Sequence, residues 1–196
     1  MRYGRMCVSD KRSAGMLAFR NDLLFELYMA RSAISFSGYK YKRFTMQNAT
    51  IREMCIEDYD RVHALWMTIR GFAIRSIDDS REGVERFLMR NPHTSVVAEK
   101  DGEIVGAILC GHDGRRGCLY HVCVREDLRM HGLGKAMVVF CMEALRKEKI
   151  NKVSLIAFTR NDIGNAFWKT IGWTKREDLN YYDFTLNEEN ITKFNA

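Results

Sequence analysis

Between residues 122 and 136 the chain brings together the side chains and glycines of an anion-binding site. Val122, Cys123 and Val124 read as the end of a strand. Arg125, Glu126, Asp127, Leu128, Arg129, Met130 and His131 form a polar loop, and Gly132, Leu133, Gly134, Lys135 and Ala136 open an apolar helix. The first N–H groups of a helix have no partner within it, and they point outward with the positive end of the dipole behind them. Gly132 and Gly134 let that backbone approach a ligand closely, and Arg129 and Lys135 add fixed positive charge. A diphosphate is the natural guest. The spacing differs from the G-x-x-x-x-G-K-S/T loop of nucleotide hydrolases and from the G-x-G-x-x-G turn of dinucleotide folds.

Such a loop needs a strand before it and a helix behind it, within a sheet that holds both. Residues 49 to 54 alternate as a short strand. Tyr59, Val62, Trp66 and Ile69 then recur at helical spacing, with Glu57 and Asp58 suiting the positive end of that helix. After a loop over residues 70 to 78, Asp79 and Glu82 are spaced as a capping box for a helix through Val84, Phe87 and Leu88 that stops before Pro92. Residues 95 to 99 and 104 to 110 are apolar runs joined by Asp101-Gly102, a tight hairpin. A turn at residues 113 to 117 leads to a strand over 118 to 124 and the helix over 132 to 147. A strand over 153 to 158, a helix over 163 to 171, a stop at Gly172 and strands over 173 to 177 and 181 to 186 complete the order. Hairpins together with one strand-helix-strand crossover predict an α/β fold with a twisted, mixed β-sheet and helices on both faces.

Arg129-x-x-Gly132-x-Gly134 resembles the R/Q-x-x-G-x-G/A signature of the GNAT acetyltransferases, at the strand-to-helix junction where that family carries it. Downstream, Asn161 and Phe167-Trp168-Lys169-Thr170-Ile171-Gly172-Trp173 are similar to the family's Asn and its F-Y-x-x-x-G-F helix end, so the resemblance spans residues 49 to 187. It implies acetyl-CoA as co-substrate and no metal. The backbone of Val122, Cys123 and Val124 would pair with the pantetheine arm as an added strand, and a backbone N–H there would stabilise the oxyanion. Residues 129 to 136 (Arg129, Met130, His131, Gly132, Leu133, Gly134, Lys135 and Ala136) would hold the diphosphate, and Asn161 would touch the arm or its thiol end.

The family's reaction is direct transfer to an amine, so no cysteine is required as an acyl carrier. Attack needs a neutral amine, yet an ammonium of pKa ~10.4 is neutral in fewer than about one molecule in a thousand at pH 7. His121 could serve as the base, with Tyr120 positioning a water; the alternative for His121 is packing within the sheet. Trp168 stands where many members carry a Tyr that protonates the leaving thiolate, and an indole N–H only donates. Water, Tyr181 or Tyr182 would have to suffice. The expected acceptor is a small-molecule or peptide amine entering between the 70 to 78 loop and the final strands. There Asp78 and Asp79 either attract a cation or cap a helix, the capping role being favoured. The other reading is an acyl-CoA-binding regulatory module with little transfer.

Composition limits the partners. Residues 1 to 45 hold nine Lys/Arg against three Asp/Glu, a charge equal to the whole chain's +6, which leaves 22 of each for residues 46 to 196. The basic character therefore belongs to an N-terminal extension. Its few interleaved aromatics argue against nucleic acid, and Asp10, Asp22 and Glu26 argue against a transit peptide. A poorly ordered appendage over residues 1 to 45 is expected, with one amphipathic helix near residues 17 to 31, ahead of a domain over 46 to 196; whether Met46 is the natural start is left open by the sequence. The six cysteines show no C-x-x-C pair, and no apolar run is long enough for a membrane span. A cytoplasmic chain with reduced thiols is the expectation, its oligomeric state open, a homodimer included.

Overall fold

The computed structural model describes residues 44 to 46 and 48 to 195; the expected helix near residues 17 to 31 lies outside them. Strand β1 (Phe44–Met46) folds back on β2 (Ala49–Glu53) through Asn48, at φ 65°. A 3₁₀ turn (Ile56–Asp58) leads into helix α1 (Tyr59–Thr68), followed by β3 (Ala73–Arg75) and helix α2 (Arg81–Arg90). β4 (Val96–Lys100) and β5 (Glu103–His112) form the expected hairpin. Asp101 and Gly102 both take positive φ, 52° and 82°, as a two-residue turn with the right twist demands. β6 (Gly117–Val124), helix α3 (Leu133–Lys147), β7 (Val153–Leu155), helix α4 (Asp162–Thr170) and β8 (Thr192–Phe194) follow.

The main sheet runs β1-β2-β4-β5-β6-β7, antiparallel except for β6 and β7, which α3 joins as a parallel pair. Period-two alternation divides its side chains between two cores. Val96, Ala98, Ile108 and Leu119 pack on one face with Met137, Cys141 and Leu145 of α3. Val97, Ala107, Leu109 and Cys123 pack on the other with Val62 and Trp66 of α1 and Val84 of α2. Gly106 is small for a packing reason, since a Cβ there would lie 2.8 Å from the Met137 sulfur. The expected mixed sheet with helices on both faces is what forms.

Three expectations about elements are corrected. The strand expected over 153 to 158 stops at Leu155, and Ile156 is already 67% exposed. The strands expected over 173 to 177 and 181 to 186 do not form. Tyr182, Phe184 and Leu186 alternate correctly but are 85%, 87% and 94% exposed, and alternation makes a strand only where a sheet face receives it. The last pairing lies further on, where β8 joins β3 in a separate two-stranded sheet. The expected capping box does not form, and a simple cap one residue on takes its place. Ser80 caps α2, its Oγ accepting the Gly83 N–H at 3.1 Å, because the Asp79 carboxylate is engaged elsewhere.

Candidate active site

The sheet opens where the expected cofactor strand lies. β6 pairs with β5 as far as Val124, but with β7 only through Gly117, Cys118 and Leu119. From Tyr120 onward the outer edge of β6 has no strand beside it among the described residues. The Arg125 N–H donates to the Val105 carbonyl, so alternation turns the amides of Val124 and Val122 toward the open side. Cys123 faces inward as a side chain, and burial pushes its thiol up to about 12. It therefore offers a ligand its backbone rather than its sulfur.

The cradle follows directly. After a 3₁₀ turn (Glu126–Leu128), Met130 at φ 64° and Gly132 at φ 84° bend the chain into α3. The Ala136 N–H bonds back to Gly132 at 3.0 Å, so the amides ahead of it form the open helix start. Leu133 and Ala136 are core residues, while Met130, His131 and Lys135 lie on the surface of the turn. A Cβ on Gly134 would sit 3.5 Å from the Phe167 ring and 3.6 Å from Val124, in ordinary contact. Arg129 is placed less simply than expected. Its Nε donates to the Val124 carbonyl at 3.0 Å, tying the loop to the strand and leaving the outer guanidinium nitrogens toward Glu126, 3.8 Å away.

His121 sits at a β-bulge. Leu109 pairs with Tyr120 and Ala107 with Cys123, so His121 and Val122 together face one residue, and His121 takes φ 48°. The extra residue resets the alternation. Tyr120 meets Phe87 of α2 edge-on with ring centroids 5.8 Å apart, and His121 packs into the same core, 4.6 Å from Trp66 of α1 and 5.0 Å from Phe72 of the loop that follows. The His121 Nε2 lies 2.6 Å from Oδ1 of Asp79, and the two side chains are 11% and 5% exposed. Partial burial, with the Cys118 thiol nearby, pushes the Tyr120 phenol above its ordinary range.

Asn161 and Trp168 also make contacts within the chain. Asn161 caps α4, its Oδ1 accepting the Gly164 N–H at 2.9 Å, so that oxygen is already used. Trp168 lies in an aromatic stack, 4.9 Å from both Phe167 and Trp173. Asp78 and Asp79, expected to cap a helix, do not. The Asp78 carboxylate accepts from Asn190 Nδ2 at 2.8 Å, and Asp79 is buried against His121.

Sequence reasoning did not foresee the C-terminal strap that walls the 70 to 78 loop. Asn195 donates through Nδ2 to the Trp66 and Ile69 carbonyls at 2.7 and 3.0 Å, and Asn190 Oδ1 accepts the Ile77 and Asp78 amides at 3.0 and 3.3 Å. Residues 191 to 194, Ile-Thr-Lys-Phe, carry no period-two alternation that would have signalled it. Among the described residues no group of three His, Cys, Asp or Glu could hold a metal ion.

Comparison with known proteins agrees with this geometry. The family model described as Acetyltransferase (GNAT) family matches residues 59 to 173, more than half of the chain. The protein named Acetyltransferase SG1711 from Sodalis glossinidius is 33% identical over 129 residues, covering 66% of this chain and 89% of that protein. Ard1 from Thermoplasma volcanium superposes with a TM-score of 0.54 at 23% identity, over 64% of this chain and 82% of that one. The PaiA N-acetyltransferase from Thermoplasma acidophilum, solved in complex with coenzyme A, does so with 0.57 at 13%, over 74% and 96%. With the open strand edge, the glycine-bent helix start and the matched span in agreement, this chain belongs to the GNAT acetyltransferase family.

Proposed function

We propose that the chain transfers an acetyl group from acetyl-CoA to a primary amine of a small molecule or peptide, by direct attack of the amine on the thioester. The observation that carries this reading is the unpaired edge of β6, which runs from Tyr120 to Val124 and leads straight into the helix start at Gly132. The outward amides of Val122 and Val124 suit the amides of a pantetheine arm. The N–H groups of residues 132 to 135, with the dipole of a 15-residue helix behind them, suit a diphosphate. The co-substrate, when bound, supplies the activated acetyl group. The chain's own part is to hold it along β6, exclude water beneath the strap and take the proton that the amine must lose. His121 is the group for that proton, on the strand that carries the arm.

Trp168 gives the second reading its one supporting observation. Its indole, stacked between Phe167 and Trp173, offers no acid to a departing thiolate, as in a module that binds acyl-CoA and regulates. One experiment tests both. Calorimetry with coenzyme A is expected to show binding, and thiol release from acetyl-CoA with polyamines, aminoglycosides, amino acids and peptide N-termini is expected to show turnover with at least one acceptor. Binding without turnover would favour the regulatory module, and no heat with coenzyme A on folded protein would end both readings.

A further inference from the structure

The acetyl-transfer reading leaves unused a buried carboxylate that is held on every side. Asp79 is 5% exposed, and its Oδ2 accepts the Arg75 N–H at 2.7 Å. Its own N–H donates to the Arg75 carbonyl at 3.1 Å, and its carbonyl accepts the Tyr59 hydroxyl at 2.9 Å. The remaining oxygen, Oδ1, faces Nε2 of His121 at 2.6 Å. The histidine is held as firmly, by the bulge backbone at φ 48° and by Trp66 and Phe72 against its ring. Neither partner can turn away without breaking contacts that belong to the fold.

An ionised carboxylate only accepts hydrogen bonds, so the ring nitrogen facing it must carry the hydrogen. In a neutral imidazole the other nitrogen then carries the lone pair. We infer that Asp79 is a positioning residue for His121, holding its hydrogen on Nε2 so that Nδ1 is the nitrogen that takes a proton. The inference rests on the proposed role of His121 as base, but its chemical core concerns the two side chains alone. When the amine N–H bond breaks, the proton goes to Nδ1 and the imidazolium lies against the Asp79 carboxylate. The proton then passes to solvent and the ring returns to its neutral form. Asp79 neither gains nor loses a proton. It belongs to the loop that the C-terminal strap holds, through Asp78 and Asn190, so the acceptor-side loop and the base form one unit.

The test is nitrogen-15 NMR of the histidines in the full chain, with His121 assigned by its loss in His121→Gln. Wild type is expected to show a protonated Nε2 and an unprotonated Nδ1 on neutral His121. Asp79→Asn, which keeps the shape and can still accept the Arg75 amide, is expected to lose that single-tautomer pattern. Its kcat should fall about 100-fold or more, the usual scale for a positioned base, with KM for acetyl-CoA unchanged. A hydrogen on Nδ1 in wild type overturns the inference even if the variant fails to fold. An unchanged kcat in folded Asp79→Asn also overturns it. Absence of coenzyme A binding would instead remove the acetyl-transfer reading, leaving the tautomer result to decide the Asp79–His121 relation alone.

Discussion

At the scale of single residues the fold depends on buried charge that is paired. Asp58, read from sequence as a helix-end carboxylate, is 1% exposed and bound by both terminal nitrogens of Arg52 at 2.7 Å and by Arg61 at 2.6 Å. Burial alone would raise its pKa, but the Arg52 guanidinium and the Cys55 amide hold it at about 2. A carboxyl whose folded pKa is depressed contributes stability that is present above its ordinary value of 3.8 and is lost as pH falls toward 2. The depression corresponds to about 2 kcal/mol. Urea denaturation is therefore expected to find Asp58→Asn clearly less stable than wild type at pH 6, with the gap closing as the pH falls below 3. A gap independent of pH would contradict the pairing.

The strand-to-helix junction is the element on which the proposed binding depends, and its two glycines serve different ends. Gly132 supplies a backbone at φ 84° that other residues adopt only at a cost. Gly134 supplies room, with Phe167 and Val124 at contact distance from any Cβ. Gly134→Ala is accordingly expected to keep both the melting temperature and the affinity for coenzyme A, since its methyl fits. Gly134→Leu must displace Phe167 and should lose binding by tenfold or more in calorimetry, about 1.4 kcal/mol. Equal behaviour of the two variants would show that the space beside α3 does not matter. The sequence made this junction legible because strand, loop and helix signals are contiguous there. It also predicts Arg129 as a charge for the ligand; the structure adds that its Nε donates to the Val124 carbonyl, five residues away, which closes the loop.

Across the molecule, the proposed acceptor side of the site is completed by residues far apart in the chain. Asn190 and Asn195 fasten the C-terminal segment to the loop between α1 and α2, and β8 gives β3 its only strand partner among the described residues. Ending the chain at residue 187 should therefore speed amide hydrogen exchange over residues 72 to 78 while leaving β4, β5 and β6 protected, as mass spectrometry would show. Unchanged exchange in that loop would mean that the strap does not hold it.

The sequence alone determined the order of the elements from β2 through α4 (β3 apart), the Asp101-Gly102 hairpin and the glycine cradle, because each is written in neighbouring residues. Tertiary structure decided what depends on which face or partner a residue meets. One extra residue in β6 resets the alternation, bringing Tyr120 and His121 into the same core, and no local pattern encodes that shift. Asp79 finds His121 across 42 positions, and the apolar alternation of residues 181 to 186 finds no sheet face while residues 192 to 194 pair with β3. Periodicity states which side chains share a face; only the folded chain supplies the surface that the face will meet.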